Sequence, residues 1–502
     1  MDSRMMVMFR SIGMMVFAGL ALAGCARMPI ASAPVEDRSA IEAALKRDIG
    51  VLASDEYGGR KPGTPGEALT TEFIVSGLQA AGFESGTNDP GNPWRAPVSL
   101  VSSYPESSRI VLTSSDSTEF ELAAEDAVAF ISLQRELVEG AAMVFVGKLS
   151  DEVSPDTIAG KVVVMLGEPG VSPGRRETLF AMNPSAILTV VDDENAIANT
   201  RRGLVRERIV LASEEGARLT GFVTQATMAQ VLGEALWSQL LDRSELDDFK
   251  PVPLNSTATI EATSQRREFT SANVIGRLAG AVPNSGAVLM LGHWDHLGEC
   301  RDEGATDRIC NGAVDNASGI AVMLELARRL AASGPHDRDI YVLATTAEES
   351  GLLGAKAFTE GPPIPLDTIV GAFNFDTTAI APAGSAVGLV GRGRTPLDDV
   401  ISQVMLEAKR EPGDDAFANS FIQRQDGWVL LQKDVPSVML STAFSSREVL
   451  GDFLTGDYHR PSDEIESIEL GGAIDDLLLH EALIKRIANT ALYPAPGASD
   501  GG

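Results

Sequence analysis

Short apolar runs alternate with amphipathic stretches through the second half of the chain. Residues 288–291, 339–344, 368–375 and 435–440 read as strands, each a compact run of apolar and β-branched positions. Residues 319–331 place Met323, Leu326, Ala327 and Leu330 on one helical face. Residues 352–360 read as a shorter helix and 474–492 as a long closing one. Strands separated by helices predict a mostly parallel sheet covered on both faces. Upstream, residues 40–53 and 66–81 have helical periodicity, and Gly82 stands where a C-cap is expected. Residues 94–100 read as a first strand. Two Ser/Pro-rich patches, 102–108 and 251–256, look like the edges of an insertion. Between them lie short β-like runs at 110–112, 142–146, 162–166 and 186–191.

The length, 502 residues, exceeds what one compact core holds, so two domains are expected. A net charge of −29 would repel nucleic acid, and no nucleic-acid partner is expected. At the N-terminus Arg4 and Arg10 precede an apolar stretch, 12–23, too short to span a membrane as a mature helix. It ends in Leu22-Ala23-Gly24-Cys25, which resembles a bacterial lipobox. Residues 1–24 are then a signal peptide, Cys25 carries lipid, and residues 25–38 form a tether. A plain secretory signal is the alternative. The expected location is the bacterial cell envelope, lipid-anchored to a membrane and facing the periplasm or exterior. In that compartment Cys300 and Cys310 suggest a disulfide pinning the loop between them; as zinc ligands their spacing fits no common motif. The tail, 494–502, is expected to be disordered.

Polar islands border the apolar runs. Gly292-His293-Trp294-Asp295-His296 closes a strand, where α/β sheets bind ligands. Asn311-Gly312-Ala313-Val314-Asp315-Asn316, Ala347-Glu348-Glu349, Asn374-Phe375-Asp376 and Tyr458-His459-Arg460 follow in order. Histidines mixed with carboxylates are what a divalent metal site needs. This ordered set resembles the M28 zinc peptidases, the co-catalytic aminopeptidases of the phosphorylase/hydrolase-like fold. Leu52-Ala53-Ser54-Asp55-Glu56-Tyr57-Gly58-Gly59-Arg60-Lys61-Pro62-Gly63-Thr64 is similar to that family's N-terminal signature, and so is Ser271-Ala272-Asn273-Val274-Ile275-Gly276, which leads into the strand before His293. Asp156-Thr157-Ile158-Ala159-Gly160-Lys161 and the following valines resemble a protease-associated (PA) domain.

The resemblance implies an α/β peptidase domain in two parts, 39–102 and 257–493, around a smaller β-rich PA-like insert at 103–256. That insert would serve as a lid or access module, or be purely structural. The resemblance also implies two zinc ions. Asp315 would bridge them, His293 and Asp376 would complete one metal, and Glu349 and His459 the other. Glu348 would be the general base acting on a metal-bridging water, and Asp295 would orient His293. The implied activity is release of N-terminal residues from peptide or protein substrates. Alternatives are a carboxypeptidase or glutaminyl cyclase-like enzyme on the same fold, or a catalytically inactive binding ectodomain. The chain departs from the family at Gln425-Asp426-Gly427-Trp428, where only Asp426 keeps the usual Ser-Asp-His pattern. His296 is either a substrate contact or a plain loop residue, while His336 and His480 read as structural or surface positions.

Overall fold

The computed structural model describes residues 35–148, 153–168, 171–204, 206–216 and 218–494. The signal and lipobox stretch, residues 25–34 of the tether and residues 495–502 lie outside the described residues. The first helix, Val35–Leu52, begins inside the stretch read as tether.

Four parallel strands form the centre of the peptidase sheet, in the order Ser437–Ser441, Ile369–Asn374, Ala287–His293, Asp339–Thr345. Alternation along each strand divides the core into two layers. Val288, Met290, Ile340, Val342 and Phe373 face helices Val35–Leu52, Pro65–Ala80, Gly319–Ser333 and Leu470–Ile487. Leu289, Leu291, Tyr341, Leu343 and Ala372 face the other way, toward Phe358 and Leu430. These central strands are buried on both faces, which is why they read as apolar runs rather than alternating ones.

The long strand Val252–Leu278 joins this sheet antiparallel to Asp339–Thr345. It also pairs antiparallel with Arg95–Thr113, from Val274↔Arg95 to Thr257↔Thr113. The two Ser/Pro patches therefore do not interrupt the chain as loops. Both lie mostly within strands, forming a continuous ribbon from the peptidase sheet into the insert. Pro105 is tolerated because it faces Ser264, where the register shifts. Local composition signalled a turn; pairing over the whole ribbon overrode it.

The insert has its own core, in which Ile110, Leu112, Phe145, Val162, Leu188, Ala258 and Ile260 meet. Strands Arg135–Gly147, Val162–Leu166, Ala186–Val191 and Thr220–Thr224 run parallel. Helices Ser172–Phe180, Glu194–Leu204, Gln225–Leu232 and Glu234–Ser244 accompany them. The insert is thus an α/β unit with more helix than its short β runs suggested.

Candidate metal and active site

Three neighbouring parallel strands deliver most of the polar islands to one edge. His293 is the last residue of its strand and stands in register with Thr345. Glu348 and Glu349 follow just beyond Thr345, and Asp376 just beyond Asn374. Asp315 comes from the kinked segment Ala313–Ser318 at the head of helix Gly319–Ser333, and His459 from the turn after helix Arg447–Thr455. Backbone strain gathers here. Ala347, Thr377 and His459 hold φ values of 52°, 51° and 59°. For a non-glycine residue each such conformation costs about 1–3 kcal/mol, a cost that persists where packing over-determines the site. Gly312 is required beside them, since a Cβ there would come within 2.6 Å of the His296 ring.

The donor set fits cations. His293 Nδ1 lies 3.1 Å from the Asp295 carbonyl oxygen, so this nitrogen carries the hydrogen and donates it. The lone pair on His293 Nε2 then faces Asp315 Oδ1 at 3.4 Å and Asp376 Oδ1 at 3.7 Å. Either a proton on Nε2 or a divalent cation relieves the repulsion among these three converging groups, and the donor set suits the cation. The other Asp315 oxygen, Oδ2, faces His459 Nε2 at 3.3 Å, and His459 Nε2 is 2.9 Å from Glu349 Oε2. Glu349 Oε1 accepts from His296 Nδ1 at 2.7 Å. Among the described residues two ligand groups emerge, His293–Asp315–Asp376 and His296–Asp315–Glu349, with Asp315 in both. The sequence does not distinguish a substrate contact from a plain loop position at His296; the structure ties it to Glu349.

Charge is correspondingly perturbed. Burial opposes the imidazolium of His293, but the carboxylates of Glu348, Asp315 and Asp376 outweigh it and hold its pKa well above the usual value. Burial raises Glu348 well above the carboxylate range, with Asp426, Glu349 and Asp376 adding and His293 opposing. Burial likewise raises Asp426 to about 6 and Asp295 to about 7. Neighbouring cations would lower all three carboxyls.

Asp295 differs in detail from the expected orienting carboxylate. Its backbone carbonyl accepts from His293 Nδ1, its Oδ1 stands 3.8 Å from the same nitrogen, and Oδ1 also accepts the Glu348 N–H at 3.0 Å. Asp295 thereby positions both residues. The buried Asp426 accepts from Thr345 Oγ1. Asp463 accepts from the backbone N–H groups of Val314 and Asp315 at 2.8 and 3.1 Å and fixes the Asp315 turn. His480 is buried, with Nδ1 against the Asp476 carbonyl, and His336 contacts the Leu330 carbonyl. Cys300 and Cys310 form a disulfide, Cα–Cα 5.7 Å, in the loop between His293 and Asp315.

Arg60 supports the site in a way the sequence did not disclose. It is fully buried and donates to the carbonyl oxygens of Leu52, Trp294, Asn311, Gly312 and Asp315. It laces the N-terminal segment to the loops carrying His293 and Asp315. Burial lowers its pKa to about 10, against the pull of Asp463, Asp315, Asp295 and Glu349. The preceding Gly59, φ 61°, could have signalled this, because a Cβ there would strike the Cys310 carbonyl at 2.5 Å.

Residues 273–477 match the model of peptidase family M28 and contain all seven residues expected to act in catalysis or metal binding. The chain is 35% identical over 109 residues to a vacuolar membrane protease of Schizosaccharomyces japonicus, covering 21% of this chain and 12% of that one. It is 36% identical over 104 residues to aminopeptidase YwaD of Bacillus subtilis, covering 20% of each. The chain thus spans only a small part of the length of these curated relatives. The fold extends further: an aminopeptidase from Aneurinibacillus sp. strain AM-1 superposes with TM-score 0.52 at 16% identity, covering 90% of this chain and 95% of that one. The ordered polar islands from His293 to His459, and the parallel strands that carry them, lie within the residues that match peptidase family M28.

Proposed function

We propose that the protein is a dizinc metallopeptidase that releases N-terminal residues from peptides. The observation that carries this reading is Asp315, whose two oxygens face two different ligand sets. His293 and Asp376 would hold one ion with Asp315, while Glu349 and His459 would hold the other. Zinc bound there supplies Lewis-acid activation of a water and of the scissile carbonyl.

The remaining chemistry belongs to the chain. Glu348 lines the same cleft, its Oε2 3.9 Å from His293 Nε2. It takes the proton of the attacking water as the C–O bond forms and delivers it to the amine as the C–N bond breaks. Asp295 holds the Glu348 backbone through its N–H and sets the His293 tautomer. In this reading the PA-like insert governs access, and lipid on Cys25 anchors the protein in the envelope. Among the described residues no helix is long and apolar enough to cross a membrane.

The test is an aminoacyl-arylamide panel assayed on purified protein with and without chelator, alongside metal analysis. Close to two metal equivalents and chelator-sensitive turnover are expected. Asp315→Ala should lose more metal than any other single ligand change. Full metal retention in that variant, or chelator-insensitive turnover, would refute the dizinc reading.

A further inference from the structure

We propose that Arg424 is a specificity-determining residue that pairs with a carboxylate of the substrate, so that this cleft favours peptides carrying an anionic group beside the scissile bond. The inference deepens the peptidase reading and rests on it. Arg424 lines the cleft that also contains His293, Asp315, Glu348 and Asp376. The rest of the wall is largely apolar, built by Phe421, Met439, Phe444, Leu450 and Leu454. Against that background a guanidinium is the one strongly charged cationic side chain lining the cleft among the described residues.

The Arg424 head is held in place by other means than a salt bridge. Its Nη2 donates to the Tyr458 hydroxyl at 3.3 Å, and its guanidinium carbon lies 5.6 Å from the Phe421 ring centroid and 6.0 Å from that of Tyr458. No carboxylate among the described residues comes within ion-pair distance of it, although the chain carries a net charge of −29. Arg392 and Arg410 nearby in sequence pair with Asp415 and Asp475. Arg424 therefore keeps its planar fork of donors available to the cleft, the geometry that matches a carboxylate.

Tyr458 links this fork to the metal-site residues. Its ring stacks on His459 with centroids 3.8 Å apart and an interplanar angle of 23°. Ring on His459 and hydroxyl on Arg424, it fixes how far the guanidinium stands from the reacting centre. Two groups on a short peptide present a carboxylate near the scissile bond: the side chain of an N-terminal Glu or Asp, and the C-terminus of a dipeptide. The chemistry recognised is the same.

The test uses two matched substrate pairs on the zinc-loaded full chain: Glu- against Gln-p-nitroanilide, and Leu-Gly against Leu-Gly-amide. Wild type should prefer the carboxylate member of at least one pair, and the pair that responds identifies the source. Arg424→Gln should lower kcat/KM for that member at least about tenfold more than for its neutral partner, mainly through KM, as loss of a charge-assisted contact does. Arg424→Lys should recover part of the preference. Equal losses on all four substrates would mean that Arg424 merely holds Tyr458 against His459 and would overturn the proposal. So would a wild type with no preference within either pair. A wild type silent on all four substrates would refute the peptidase reading itself, and this assignment with it.

Discussion

Glu348 and Glu349 are adjacent in sequence and do different work because the backbone turns them to different neighbours. Glu349 Oε1 and Oε2 are engaged by His296 and His459, while Glu348 contacts neither and opens onto the cleft. Glu348→Gln is therefore expected to retain its metal and lose about 10²–10⁴-fold in turnover, measured as kcat beside metal content. Unchanged turnover would move the base elsewhere, and Asp426 is the next carboxylate to test. His480 supplies a second residue-scale expectation. It packs against Phe375, ring centroids 4.6 Å apart, and burial lowers its pKa from 6.5 to about 4. Above pH 6.5 the ring is neutral whether folded or unfolded. Between pH 6.5 and 4 the unfolded chain binds a proton that the native state refuses, so stability falls as pH falls. That loss approaches roughly 3 kcal/mol below pH 4. Asp476, raised to about 7 by burial, acts in the opposite sense over the same range. The difference between wild type and His480→Gln isolates the histidine. Denaturant midpoints should show the variant gaining relative stability on acidification, and a pH-independent difference would refute the assignment.

Among the elements, the strand ends and the Arg60 turn hold the site together. Ala287–His293, Asp339–Thr345 and Ile369–Asn374 end side by side because they are parallel and in register, which converts dispersed islands into one edge. The loops that complete the site are tied by Arg60, Asp463 and the Cys300–Cys310 disulfide. Arg60→Met would leave five buried carbonyl oxygens without this donor. Each unsatisfied buried group costs about 1–3 kcal/mol. The variant is expected to lose at least roughly 3 kcal/mol of stability in denaturant unfolding, with weaker metal retention as the Asp315 turn loosens. A variant of wild-type stability and metal content would remove the clamp role. The Arg60 clamp was not legible locally. Arg60 acts on carbonyls as far as 255 residues away, and a contact of that span leaves no periodicity to read.

At the scale of the whole molecule, the lipid anchor proposed at Cys25 of Leu22-Ala23-Gly24-Cys25 can be tested by fractionation. Wild type should fractionate with membranes and partition into detergent, since acyl chains gain about 0.8 kcal/mol per buried CH₂. Cys25→Ser should be uncleaved or mislocalised. Soluble wild-type protein with an unmodified N-terminus beyond residue 25 would favour plain secretion and leave the peptidase reading untouched. The sequence alone disclosed the central strands and the helices at 319–331, 352–360 and 474–492, because apolar runs and helical faces are local patterns that burial imposes directly; helices Asp398–Glu407 and Arg447–Thr455 were not read from it. It also displayed the histidine and carboxylate islands, since polar residues at strand ends stand out against those runs. Other features emerged from packing between distant segments. The Ser/Pro patches became parts of a long ribbon because partner strands, not local composition, determined their conformation. His296 joined Glu349, Asp295 came to hold both His293 and Glu348, and Arg424 came to face the cleft beside Tyr458. Such roles depend on where a side chain's atoms point once distant segments pack, and that direction is a property of the folded chain, not of any segment in it.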